Sequence, residues 1–314
     1  MCALPLCREQ YAITATAKSF GNGRYGEAPQ ELRTTVERTN RRSDPRPLCE
    51  NRPVPAASID GTITDAAQAT ILATDEGLLR GDGVFEVALL YDGVAYALDE
   101  HLARMELSAH NLRLGFDADA MRADTLALLA DPGDLPARAV VRLVATRGGR
   151  RIVLVEEIPA AAPSISLVTI EHRPTPLLEA IKSLSYAPNM LATRLAAERG
   201  ADDALLVTPE GVVLELPRQS FGCSLDGETL VTPPLSSGVL DSITRRRALE
   251  TGLVQERAIS TAELADATEA FVAGTTVEIQ PVSSIDGREL PVPGPLTAEL
   301  RERVGEAIAA ELAS

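Results

Sequence analysis

Lysine is nearly absent from this 314-residue chain: of its 30 cationic side chains only Lys18 and Lys182 are lysines, and the other 28 are arginines. What arginine cannot supply is a primary amine that loses its proton near neutral pH and attacks a carbonyl. Lys18 falls in a polar leader. Lys182 sits in Leu177-Leu178-Glu179-Ala180-Ile181-Lys182-Ser183-Leu184-Ser185-Tyr186, whose apolar members can desolvate the amine and lower its pKa. Lys182 is therefore a Schiff-base candidate. Drift from Lys to Arg in a GC-rich genome would leave the same count, so composition alone keeps both readings open.

A second chemistry is visible in the spacing of hydroxyls and glycines. A bound phosphate asks for backbone N–H groups at a helix start, hydroxyls and a fixed cation. Asp241-Ser242-Ile243-Thr244 opens a helix, and Thr275 and Thr276 follow Gly274. Each of these has an ordinary alternative taken singly: helix capping for Ile243 and Thr244, strand-end packing for Thr275 and Thr276. Other engines are poorly supplied. His101, His110 and His172 are scattered, against a Ser-His-Asp or Cys-His arrangement. Cys2, Cys7 and Cys49 lie in the leader and Cys223 stands alone, so no metal site or disulfide framework is indicated. A net charge of −15 argues against nucleic acid and anionic membrane as partners. No membrane span or signal peptide is read, which makes the cytoplasm the expected compartment.

The elements that must hold these residues follow from periodicity. Residues 1–55 are charged, Pro-containing and without apolar period, and are expected to form a disordered or loosely attached leader. An N-terminal α+β unit is expected over 56–158. In it Val84–Leu90 and Val94–Leu98 flank an Asp92-Gly93 turn, Asp99 caps a helix carrying Leu102, Met105, Ala109 and Leu112, another helix lies near 117–130, and 139–145 is a buried strand. The Ala/Pro stretch 159–163 is a linker, and 164–314 forms the second unit. There Pro188 opens a helix to Arg199, 204–207 and 212–214 form a hairpin, Asp241 caps a helix 242–251, Ser260–Glu263 is a capping box, 270–273 is a strand, and 296–313 is a closing helix.

Five segments, in order, carry a resemblance: Arg80-Gly81-Asp82-Gly83-Val84-Phe85-Glu86 with Glu100-His101-Leu102-Ala103-Arg104-Met105; Lys182; Val213-Leu214-Glu215; Gly238-Val239-Leu240-Asp241-Ser242-Ile243-Thr244-Arg245; and Ala273-Gly274-Thr275-Thr276-Val277-Glu278-Ile279-Gln280-Pro281-Val282. Together they resemble the class IV, fold type IV, pyridoxal-phosphate enzymes, which include branched-chain and D-amino-acid aminotransferases and aminodeoxychorismate lyase. The resemblance spans roughly 58–290. It implies an α/β (α+β) fold of two domains, a small N-terminal α+β domain and a larger β-rich C-terminal domain with flanking helices.

It also implies roles. Pyridoxal 5′-phosphate would be the cofactor, joined to Lys182. Arg104, Ile243, Thr244, Thr275 and Thr276 would hold its phosphate, and Glu215 would pair with the pyridine nitrogen to keep the ring protonated. Tyr186 would either hydrogen-bond the cofactor's phenolic oxygen or fill a core position. Phe85 is placed on the substrate side, with Arg147 and Arg218 for a substrate carboxylate; Arg150 and Arg151 belong to the same cluster, and solvated arginines are the alternative. Two departures stand out: Ser242 replaces the usual Gly before Ile-Thr-Arg, and Leu216-Pro217-Arg218-Gln219-Ser220 replaces the usual Gly-Ser-x-x-Asn. The expected activity is transfer of an amino group between amino and oxo acids by a homodimer. Pyruvate elimination of the aminodeoxychorismate lyase type is the alternative, disfavoured because Glu86 and Val87 follow Phe85 where lyases carry Thr. A non-catalytic binding relative is the third.

Overall fold

The computed structural model describes residues 56–130 and 135–313. The expected leader, 1–55, lies outside the described residues. Two sheets organise the rest. The first contains β1 (Ala56–Ile59), β2 (Thr62–Asp65), β3 (Gly83–Tyr91), β4 (Val94–Ala95), β5 (Ala139–Thr146) and β6 (Arg151–Glu157), antiparallel throughout in the order β2-β1-β6-β5-β3-β4. Asp92 and Gly93 join β3 to β4 with positive φ at both residues, 48° and 85°, the twist that a two-residue hairpin requires.

Three helices accompany this sheet: α1 (Glu76–Arg80), α2 (Leu98–Asn111) and α3 (Ala118–Ala130). Leu102, Met105 and Ala109 of α2 recur on one face and are buried with Met121 and Leu128 of α3 against Val84, Ala88 and Leu143. Burial of each large side chain contributes roughly 1.5–3 kcal/mol. The expected cap is displaced here. The α2 N-cap is Ala97, at φ 51° and without a side-chain bond, while Asp99 lies inside the first turn; there its charge still faces the positive end of the helix dipole.

The second sheet runs β11-β10-β9-β12-β13-β7-β8, with β14 on β13. Its strands are β7 (Ile165–Glu171), β8 (Asp203–Val207), β9 (Ser220–Ser224), β10 (Leu230–Thr232), β11 (Val254–Glu256), β12 (Glu269–Gly274), β13 (Glu278–Ile285) and β14 (Arg288–Glu289). It is mixed: β7 is parallel to both β8 and β13, and β10 to β11. Around it lie α4 (Ala187–Glu198), α5 (Ile243–Glu250) and α6 (Pro295–Leu312). Ser242, not Asp241, caps α5, its side chain accepting from the Arg245 N–H at 3.3 Å. The Ser260–Glu263 box forms reciprocally, with Ser260 N–H to Glu263 at 2.9 Å and Glu263 N–H to Ser260 at 3.3 Å, but it opens only a 3₁₀ turn, Glu263–Asp266.

Candidate active site

The lysine segment is fixed to the first sheet as if it were a short extra strand. Phe85 N–H donates to the Lys182 carbonyl at 3.0 Å, Leu184 N–H to the Gly83 carbonyl at 2.9 Å, and Ser183 bridges Val84. Gly83 permits this approach: a Cβ there would stand 2.5 Å from the Ala145 carbonyl oxygen and 2.6 Å from Leu184 Cδ1. Lys182 N–H also meets the Ser108 hydroxyl of α2 at 3.2 Å. The Lys182 main chain is thus held on both sides by hydrogen bonds to β3 and α2. The Lys182 Nζ stands 4.7 Å from the centroid of the Phe85 ring.

Lys182 opens onto a cavity of about 540 Å³ whose wall includes Arg104, Glu215, Arg218, Ser220 and Thr275. Burial lowers the Lys182 amine to about 8, the nearby Glu86 carboxylate opposing that fall and Arg104 adding to it. Glu215 follows Leu214, which pairs with Leu206 of β8 at 2.9 Å. Burial pushes its carboxyl up to about 7, against the Leu240 N–H that donates to Oε1 at 3.1 Å and the positive charges of Lys182 and Arg104. An amine and a carboxyl that both titrate near neutrality therefore share one cavity, the setting in which acid and base roles are assigned.

Arg104 is 10% exposed and bonds on both sides. Nε and Nη2 donate to the two oxygens of Glu86 at 2.6 and 2.7 Å, and Nη1 donates to the Asp241 carbonyl at 2.8 Å. A guanidinium has five N–H groups. Two remain for an anion in the cavity.

That residual capacity tests whether pyridoxal phosphate suits the site. On the same wall stand Thr275 and Ser242, the cap of α5, at the helix end whose first N–H groups have no acceptor within the helix. Ser220 is 3% exposed and its hydroxyl has no partner, nor has Gln219 Oε1, and both residues line the cavity. Buried polar atoms left in this state are satisfied by a ligand or water. Gly274 keeps the wall open, since a Cβ would lie 2.8 Å from Gln219 Cγ. Anion donors, an amine and a carboxyl in one cavity suit the group.

Other expected residues are placed differently. The Ile243 and Thr244 side chains are buried in the α5 turn, so their backbone groups, not their side chains, are what an anion would meet. The Thr276 carbonyl accepts from Arg138. The Tyr186 hydroxyl donates to the Pro217 carbonyl, and its ring packs edge-on to Phe85 at 5.3 Å, so that hydroxyl proton is committed within the protein. Arg147 is not brought to the cavity: it pairs with Asp82 at 3.0 Å and donates to the Leu112 carbonyl at 3.0 Å. Arg150 pairs with Asp60 and Arg151 with Asp124. Arg218 does line the cavity, 55% exposed and 3.5 Å from Asp203.

Residues that sequence reasoning left out are Glu86 as an anchor, its neighbour His101, and Arg142, whose Cζ lies 5.7 Å from the Phe85 centroid while Glu156 holds its guanidinium at 2.8 Å. A usable signal existed for Glu86: one charge inside Val84-Phe85-Glu86-Val87-Ala88-Leu89-Leu90 must find a buried partner.

Known proteins carry the same arrangement of strands and helices. The fold IV transaminase of Curtobacterium pusillum is 31% identical with a TM-score of 0.74, over 82% of this chain and 99% of that one. A hypothetical aminotransferase from Mycobacterium tuberculosis, in an alpha-ketoglutarate and PMP bound form, is 28% identical with a TM-score of 0.73, over 82% and 99%. Among sequences, the bifunctional aminodeoxychorismate lyase / D-amino acid transaminase of Mycobacterium tuberculosis is 30% identical over 74% of this chain and 92% of its own length. The family model for amino-transferase class IV matches residues 83–285. That match runs from the first residue of β3 to the last of β13, across both sheets and all the residues set around the cavity, and it makes this chain an enzyme of the class IV aminotransferase family.

Proposed function

We propose that this aminotransferase uses pyridoxal 5′-phosphate held in the Lys182 cavity to move an amino group between an α-amino acid and a 2-oxo acid. The carrying observation is the placement of Lys182, the one lysine among the described residues, in a cavity that also presents Glu215 and the two unspent N–H groups of Arg104. When bound, the cofactor would supply an aldehyde carbon that takes up the amino group and a ring that accepts the electrons of the broken Cα–H bond.

The protein's own residues do the rest. Burial lowers Lys182 Nζ to about 8, which brings the neutral amine within reach near physiological pH, to attack a carbonyl and to take the proton from the substrate Cα. Phe85 packs beside that amine and keeps water from one side of it. Glu215 Oε1 is held by the Leu240 N–H, which orients the carboxylate so that its other oxygen can accept from a ring N–H. Arg104, the α5 first turn and Thr275 bind the phosphate. Arg218 at the wall suits a substrate carboxylate.

A homodimer belongs to the same proposal, supported by the large apolar side chains of Leu78, Leu79 and Leu177 that stay exposed. So does a cytoplasmic location. No helix among the described residues is long and apolar enough to cross a membrane.

The test is a half-reaction with an amino donor and no acceptor, using both enantiomers of several α-amino acids. One equivalent of oxo acid per site, then arrest until a second oxo acid is added, is the expected result. Continuous pyruvate release from aminodeoxychorismate, with no oxo acid from any amino acid, would replace transfer by lysis.

A further inference from the structure

Glu86 is fully buried, 0% exposed, and its carboxylate takes three donors: Arg104 Nε at 2.6 Å, Arg104 Nη2 at 2.7 Å and His101 Nδ1 at 2.8 Å. A carboxylate without water costs several kcal/mol unless it is fully paired. Burial pushes the Glu86 carboxyl up, but the Arg104 charge and these bonds outweigh it and hold it at about 2. His101, 1% exposed, has its pKa lowered chiefly by burial. Facing an acceptor-only group, it carries its proton on Nδ1.

The fork between Glu86 and Arg104 fixes the guanidinium plane, and the Asp241 carbonyl fixes its outer nitrogen one residue before the α5 cap. An arginine on a free stem would lose rotamer entropy on gripping an anion; this one has lost it already on folding. Its two unspent N–H groups are consequently preset on the cavity wall. Among the described residues, Glu86 is the charged group that accepts from Arg104, and the Asp241 carbonyl is its other acceptor.

We propose that Glu86 is the positioning residue of the anion site: by clamping Arg104 it aims the remaining N–H groups at the cofactor phosphate, next to the first turn of α5. This rests on the reading that Arg104 binds that phosphate. It gives the Glu after Phe85 a physical task, where resemblance treats it only as a mark that sets transaminases apart from lyases.

The experiment compares dissociation constants of the cofactor-free protein for pyridoxal 5′-phosphate and for pyridoxal, by equilibrium dialysis. Both ligands carry the same aldehyde, so the ratio of the two constants isolates the phosphate. Glu86→Gln is expected to shrink that ratio about tenfold or more, the weight of a charge-assisted hydrogen bond, while pyridoxal affinity stays at its wild-type level. Arg104→Lys, which keeps the charge but not the fork, is expected to shrink it as well, and covers the case in which Glu86→Gln does not fold. The double variant Glu86→Gln/Arg104→Met removes both charges and tests the underlying reading. If the double variant collapses the ratio but Glu86→Gln and Arg104→Lys do not, Glu86 positions nothing and Arg104 still binds phosphate. If the double variant keeps the wild-type ratio, both ideas fall. Equal losses for the two ligands would make Glu86 merely structural.

Discussion

Lys182 and Phe85 meet twice, once through the backbone, where the Phe85 N–H donates to the Lys182 carbonyl at 3.0 Å, and once through the side chains, where Nζ stands 4.7 Å from the ring centroid. The first contact does not depend on the lysine side chain and the second does. Lys182→Ala should therefore leave the segment on β3, with a melting temperature close to wild type, while transamination falls by at least about a thousandfold. Lys182→Arg should fail equally, because a guanidinium keeps its proton. Residual activity of a few per cent in either variant would remove Lys182 from the chemistry.

Gly83 offers a test of this backbone mounting. A methyl group there must displace the Ala145 carbonyl or Leu184, at a cost of roughly 1–3 kcal/mol. Leu184 is two residues from Lys182, so Gly83→Ala should lower kcat by up to about a hundredfold, as small misplacements do. Urea unfolding and steady-state kinetics measure the two effects. A variant with wild-type kcat would mean that the lysine does not depend on this contact.

What the sequence disclosed was the chemistry more than the scaffold. Lys182 is visible because composition makes it rare, whereas Glu215 is reached only through the resemblance to the family's motifs. The helices followed from their period, α2 above all. Strands β8 and β12 are legible as the apolar runs 204–207 and 270–273, but β9 is buried on both faces and shows no alternation to read; β13 carries Pro281 in a central position, between β12 and β7, where proline argues against a strand. Arg147 looked like a free carboxylate ligand because Asp82, its partner, is 65 residues away in sequence. The clamp between Glu86 and Arg104 was hidden for the same reason: its parts lie on different elements, β3 and α2, and only packing joins them.

Glu215 and Lys182 also fix how stability depends on pH in the protein stripped of cofactor. Burial raises Glu215 from 4.5 to about 7, so the unfolded chain gives up this proton first and the folded state loses stability as pH rises through that window. Burial lowers Lys182 from 10.5 to about 8, so the folded state regains stability as pH rises from about 8 to 10.5. Glu215→Gln should match wild type near pH 4 and exceed it above pH 7 by at most roughly 3 kcal/mol. Lys182→Met should exceed wild type below pH 8 and converge with it by about pH 10.5. Attraction between the two groups trims each gain. Urea titrations from about pH 4 to about pH 11 measure this, and curves parallel to wild type would show that neither group is desolvated.

Arg147 and Arg218 separate structure from recognition. Arg147 makes a half-exposed pair with Asp82 and reaches the Leu112 carbonyl, so Arg147→Ala should cost about 0.5–2 kcal/mol of stability and leave KM for the amino donor unchanged. Arg218 contributes little to the fold, since its one ion pair is long at 3.5 Å and its side chain is 55% exposed, yet it lines the cavity. Arg218→Ala should leave the melting temperature alone and raise KM about tenfold or more, while the KM of a simple amine donor, where one is accepted, stays put. Arg218→Lys should recover only part of the loss, because a single ammonium cannot make the forked contact to a carboxylate. If Arg147→Ala raised KM and Arg218→Ala did not, the carboxylate site would lie at the loop after β5, and the wall residue would be a solvated cation.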